Sequence, residues 1–97
     1  MSLPLETLVA QIAQELSLPP ERLVREGIVT YLQQALREVN AEILAIGGKY
    51  GVKSVEEMDA LYRQGLVEES TSWEDFQKLD HLTARREQLR RLLEALA

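Results

Sequence analysis

This chain of 97 residues has no cysteine, three prolines, five glycines, five aromatic residues and a single histidine. The lack of cysteine excludes disulfides, thiol catalysis and thiolate metal sites, and it fits a reducing cytoplasm. A lone His81 with no cysteine does not make a typical zinc site, and no serine or acid stands at a diagnostic spacing from it. The chain has no glycine-rich phosphate loop, no EF-hand pattern and no Glu-x-x-His pair of the kind that di-iron bundles need. A non-enzymatic protein without cofactor or metal is therefore expected. No apolar stretch approaches the ~20 residues of a membrane span, and no charged-then-apolar leader precedes the first helical pattern. These absences point to a cytoplasmic protein with no membrane contact. With so few aromatics (Tyr31, Tyr50, Tyr62, Trp73 and Phe76), the core has to be built from Leu, Ile, Val and Ala. The β-branched residues are scattered among helix formers and never alternate strictly with polar ones, which argues against a sheet.

What the chain does have is a heptad seam. Val29, Leu32, Leu36, Val39, Ile43, Ile46 and Tyr50 follow one another at alternating spacings of three and four. That rhythm places all of them on one stripe of a long helix. A second seam runs through Leu79, Leu82, Arg86, Leu89, Leu93 and Leu96. Two long helices with matched stripes have two obvious partners, each other and a second copy of the chain.

The punctuation divides residues 1–97 into a single helical domain of four helices. Helix one spans about 5–16, with Leu5, Leu8, Val9, Ile12, Ala13 and Leu16 on one face, and it is ended by Ser17-Leu18-Pro19-Pro20. Helix two starts at Pro20, where a missing N–H is no loss, and runs to 46 or to 50. Both Gly47 and Gly51 are candidate stops. Gly27 interrupts it at about 1 kcal/mol relative to alanine, which a close backbone crossing would explain. Helix three covers about 55–64, opened by the capping box Ser54-Val55-Glu56-Glu57 and closed by Gly65. Helix four covers about 72–96, capped by Thr71 or Ser72 after a polar turn at 68–72.

The formal charge of −5 is uneven. Residues 54–80 carry Glu56, Glu57, Asp59, Glu68, Glu69, Glu74, Asp75 and Asp80 against only Arg63 and Lys78. Most of the surface therefore repels nucleic acid, and DNA binding by the chain alone is not expected. The last helix offers Arg85, Arg86, Arg90 and Arg91 as candidate nucleic-acid contacts, with a solvated face as the plainer reading. Arg86 interrupts an apolar seam. Either its stem packs while its head reaches solvent, or it pairs with Glu38 or Glu42 on a facing helix. Trp73 and Phe76, with Glu68 and Glu69 beside them in sequence, are the candidate partner-binding residues, because aromatics dominate interface hot spots.

Glu15-Leu16-Ser17-Leu18-Pro19-Pro20-Glu21-Arg22-Leu23-Val24-Arg25-Glu26-Gly27-Ile28-Val29-Thr30-Tyr31-Leu32 resembles the two helices of a ribbon–helix–helix protein. Leu23-Val24-Arg25-Glu26, Ile28 and Tyr31-Leu32 carry the match, while Gly27 stands where alanine is usual. Only Met1 to Pro4 precede helix one, which leaves no room for the DNA-reading strand of that family. The remainder is similar to small helical proteins of prokaryotic toxin–antitoxin pairs. The residues concerned are Leu36-Arg37-Glu38-Val39-Asn40-Ala41-Glu42-Ile43, Lys49-Tyr50-Gly51-Val52-Lys53-Ser54-Val55-Glu56-Glu57-Met58 and Trp73-Glu74-Asp75. The resemblance implies an antitoxin-like module that neutralises a small basic partner. A regulator related to ribbon–helix–helix proteins and a structural coiled-coil dimer are the alternatives. The expected architecture is all-α, with the two long helices packed as an antiparallel hairpin or coiled coil in an intertwined homodimer. The seam residues Val29, Leu32, Leu36, Val39, Ile43, Ile46, Leu79, Leu82, Leu89 and Leu93 would form its core.

Overall fold

A computed structural model describes residues 2–97, apart from the side chains of residues 69–71. The protein is all-helical, with no strand among the described residues. Its helices are α1 (Leu5–Glu15), α2 (Pro20–Tyr50), α3 (Val55–Arg63) and α4 (Glu69–Leu96). Of the two candidate stops, α2 passes Gly47 and ends at Gly51, which takes the left-handed conformation with φ 68°.

Three helices end by one device. A left-handed residue reverses the chain, and the next N–H reaches back five residues to an orphan carbonyl. Leu18 N–H donates to the Ala13 carbonyl at 2.9 Å, Val52 to Gly47 at 2.9 Å and Leu66 to Leu61 at 3.0 Å. The left-handed residues are Ser17, Gly51 and Gly65. The end of α1 is therefore made at Ser17, ahead of the prolines to which the sequence pattern assigns it. Gly47 is needed for packing. A Cβ on it would lie 2.3 Å from the Val52 carbonyl oxygen, so α2 ends tightly folded onto its own exit. Val52 is consequently buried.

The start of α3 makes half of the expected capping box, with Ser54 Oγ accepting from Glu57 N–H at 3.1 Å, while Glu57 reaches past Ser54 and accepts from Lys53 N–H at 2.5 Å. The start of α4 departs from expectation. It begins at Glu69, three residues before Ser72, so most of the expected polar turn is helix. Ser72 is used inside the helix. Its Oγ donates to the Glu68 carbonyl at 2.6 Å and accepts from the Tyr62 hydroxyl at 2.7 Å, and the residue is 1% exposed. A buried hydroxyl must be paired, and here the pairing ties α3 to α4. The alternative cap, Thr71, lies outside the described side chains.

The two long helices pack antiparallel. Lys49 near the end of α2 pairs with Asp75 near the start of α4, and Leu96 at the other end of α4 lies beside Pro20 and Val24. The seam supplies the core. Leu32, Val39, Ile43 and Ile46 from α2 meet Leu79, Leu82 and Leu89 from α4, with Val52 and Met58 closing one end. Leu36 and Leu93 pack at its edge, while Val29, half-buried, lies outside the cluster. Helix α1 contributes nothing to this cluster, and its one buried residue is Ala13.

The resulting body is 60 × 32 × 16 Å, with a radius of gyration of 19.7 Å. A compact chain of this length has about 13 Å, so the body is elongated. It exposes 7445 Å², against about 5,600 Å² for a folded monomer of 11.0 kDa.

Candidate partner-docking site

The start of α4 carries an aromatic shelf. Trp73 stacks on Phe76, with centroids 5.7 Å apart and planes 10° from parallel, and Phe76 meets the edge of Tyr62 at 5.2 Å and 70°. Phe76 packs against the core, so it holds the indole from behind. Trp73 is 45% exposed, a large exposure for a ring that is fixed in place. Gln77, Lys78, Asp80 and His81 surround the shallow depression beside it. Glu74 and Asp80 on α4, and Glu56 on α3, are exposed and make no ion pair among the described residues. Of these acids Asp80 lines the depression beside Trp73, together with Lys78 and His81, and a stacked, half-exposed tryptophan is the residue type that dominates interface hot spots. Of the candidate partner residues, Glu68 is exposed at the N-cap of α4, and Glu69 lies outside the described side chains.

A polar cluster that the sequence reading missed pins the shelf to α2. Asp75 accepts from Lys49 Nζ at 2.7 Å and from the Tyr50 hydroxyl at 2.5 Å. The Lys49 hydrogen bond, then that of Tyr50, holds the Asp75 carboxyl below its usual 3.8. The same bonds raise Lys49 above 10.5 and Tyr50 above 10.0. The pairing joins residues 25 and 26 positions apart, so no local pattern announces it.

The four arginines do not form one patch. At 100° per residue, Arg86 and Arg90 share a face, Arg85 lies about 100° away from Arg86, and Arg91 lies on the other side. Arg85 donates to Gln88 at 3.0 Å and Arg90 to Glu87 at 3.2 Å. Arg86 pairs with neither Glu38 nor Glu42, because Glu42 faces Lys78 at 3.9 Å and Glu38 accepts from Gln34 at 3.2 Å. Its nearest acid is Glu87 at 3.9 Å, and its Nε is buried with no hydrogen-bond partner. Arg86 and Arg90 line a cleft along the end of α2 with Lys53, over Leu44, Gly47 and Gly48.

At the opposite end, α1 and the first turns of α2 leave an apolar surface uncovered. Leu5, Leu8, Ile12, Leu16, Val24, Ile28 and Tyr31 are between 38% and 73% exposed. No group of three His, Asp or Glu residues among the described residues is arranged to hold a metal ion. No described helix is long and apolar enough to cross a membrane.

A family model matches the chain over residues 1–97, and the chain belongs to that family, the Uncharacterized protein MJ0235 family. Neither a curated protein nor a solved structure matches it.

Proposed function

We propose that this member of the MJ0235 family is a non-enzymatic protein-binding module, antitoxin-like in kind, that acts as a homodimer and captures a small basic partner protein at the Trp73 shelf. The observation that carries the reading is the indole itself. Its ring is stacked on Phe76 and still 45% exposed, so a partner would cover it without first having to order it. The unpaired acids Glu56, Glu74 and Asp80 add charge complementarity, which raises the rate of encounter with a basic surface. The cysteine-free composition suits a reducing cytoplasm.

The test is capture of stoichiometric partners from the native host by tagged parent and Trp73→Ala chains, with mass spectrometry of what is retained. A single small basic protein held by the parent and lost from the variant supports the reading. Because Trp73 is the only tryptophan, binding of that protein should also shift the intrinsic fluorescence. Equal retention by both chains removes the shelf from the reading.

The ribbon–helix–helix-related regulator is a second reading, favoured by the α1–α2 hairpin with its uncovered apolar face. It predicts DNA binding that weakens steeply with salt, yet the four arginines point in different directions. A structural coiled-coil dimer without a small partner would leave Trp73 without a role.

A further inference from the structure

A groove runs between α1 and α2, walled by Leu8 and Ile12 on one side and by Val24, Ile28 and Tyr31 on the other, with Gly27 among its lining residues. Gly27 sits in the interior of a long helix, where glycine weakens the helix. Nothing inside the chain requires it there, since a Cβ at this position would meet no atom within 4 Å. Gly47 is different, because its own chain crowds it. A glycine that its own fold does not need, set in the middle of an apolar face, leaves a flat spot where a second helix can approach closely.

The area available fits one occupant. The seven exposed apolar side chains of this end together present on the order of 700 Å², close to the ~800 Å² that each partner contributes to a standard interface. That is more than the ~300–600 Å² of the largest apolar patch on a typical monomer. The large exposed surface of the elongated body points the same way, because a second copy on this face would cover part of it. The charges beside the face are of both signs, since Glu21 and Arg25 line the depression that continues from Val24 and Ile28. A mixed rim selects neither a basic nor an acidic partner and is compatible with its own image.

We infer that a second copy of this chain covers the α1–α2 face, with the two α2 helices crossing at Gly27 about a two-fold axis. The inference rests on the dimeric part of the reading above and names the surface that makes the dimer. It is independent of the partner at Trp73. In an isologous contact of this kind Gly27 meets Gly27 at the axis, and each apolar face lies against its own image.

The experiment is sedimentation equilibrium on the full chain and three variants, with circular dichroism confirming helicity. Ile28→Glu places a charge in the face, and Gly27→Ala adds a single methyl at the crossing. Leu44→Glu alters an equally prominent exposed apolar residue, 75% exposed, on a different surface. The parent should be a dimer at ~100 μM, a concentration that populates any interface of standard size. Ile28→Glu should be monomeric with its helices retained, because Ile28 is outside the main core. Gly27→Ala should weaken the dimer about tenfold or more even though alanine favours the helix, and Leu44→Glu should leave it unchanged. A monomeric parent would overturn both the inference and the dimeric reading. A parent dimer that survives Ile28→Glu and Gly27→Ala, whatever Leu44→Glu does, would overturn the inference and leave the dimeric reading standing on another surface.

Discussion

Gly47 and Gly48 are adjacent helical glycines with opposite surroundings, and replacing each with alanine separates two effects that usually travel together. Alanine in a helix interior gains about 0.5–1 kcal/mol over glycine. At Gly48 nothing lies within 4 Å of the new methyl, so Gly48→Ala should be more stable than the parent by that amount. At Gly47 the methyl would sit 2.3 Å from the Val52 carbonyl oxygen, and the obstacle is backbone rather than a side chain that can swing away. Relief requires the exit of α2 to move. That threatens the 2.9 Å bond from Val52 N–H to the Gly47 carbonyl, worth about 0.5–1.5 kcal/mol. It also unseats Val52, whose full burial contributes about 1.5–3 kcal/mol. Set against the propensity gain, Gly47→Ala should lose about 2 kcal/mol. At 4–8 °C per kcal/mol for a chain of this size, the two variants should melt roughly 10–20 °C apart. Urea unfolding followed by circular dichroism, at one fixed protein concentration, reads the difference. Equal midpoints for the two variants would refute the argument that the exit of α2 is sterically closed on Gly47.

Further outcomes follow from single residues. Ser17 is a non-glycine residue held at φ 57°, so Ser17→Gly should stabilise the chain by about 1 kcal/mol, seen as a higher urea midpoint. Met58 is 0% exposed where α3 closes the core, and Met58→Ala should cost about 2–5 kcal/mol in the same assay. Arg86→Leu removes a buried Nε without a partner and restores the apolar seam, so it should be at least as stable as the parent, and a loss of more than about 1 kcal/mol would contradict this. The Asp75 cluster makes stability depend on pH at both ends. Asp75 titrates below 3.8, so its contribution is complete above that value and is lost as pH falls beneath it. Lys49 and Tyr50 titrate above 10.5 and 10.0, so theirs is present below those values and is lost as pH rises past them. In Asp75→Asn both limbs of the stability–pH curve should flatten.

The helices are legible along the chain because their signals are local. Heptad spacing set the stripe from Leu32 to Ile46, Pro20 suited the first turn of α2, and Ser54 with Glu57 made the α3 cap. Gly65 likewise marked the end of α3. Local signals fell short where competing ones were available. Gly47 and Gly51 both read as stops for α2, and packing against Val52 decided between them. Ser72 read as a cap, and the chance to pair with Tyr62 drew it into the body of α4 instead. The four arginines read as a cluster along the chain, and the helical screw scattered them.

The remaining features depend on contacts between residues that are distant in sequence. Tertiary packing brought Lys49 and Tyr50 to Asp75, left Arg86 away from Glu38 and Glu42, and set Trp73 half-exposed against Phe76. It also left α1 outside the core that α2, α3 and α4 share. Periodicity identifies which face of α1 and early α2 is apolar, but it does not say whether the rest of the chain covers that face. Here the core is used up by α2, α3 and α4, and the α1–α2 face remains exposed.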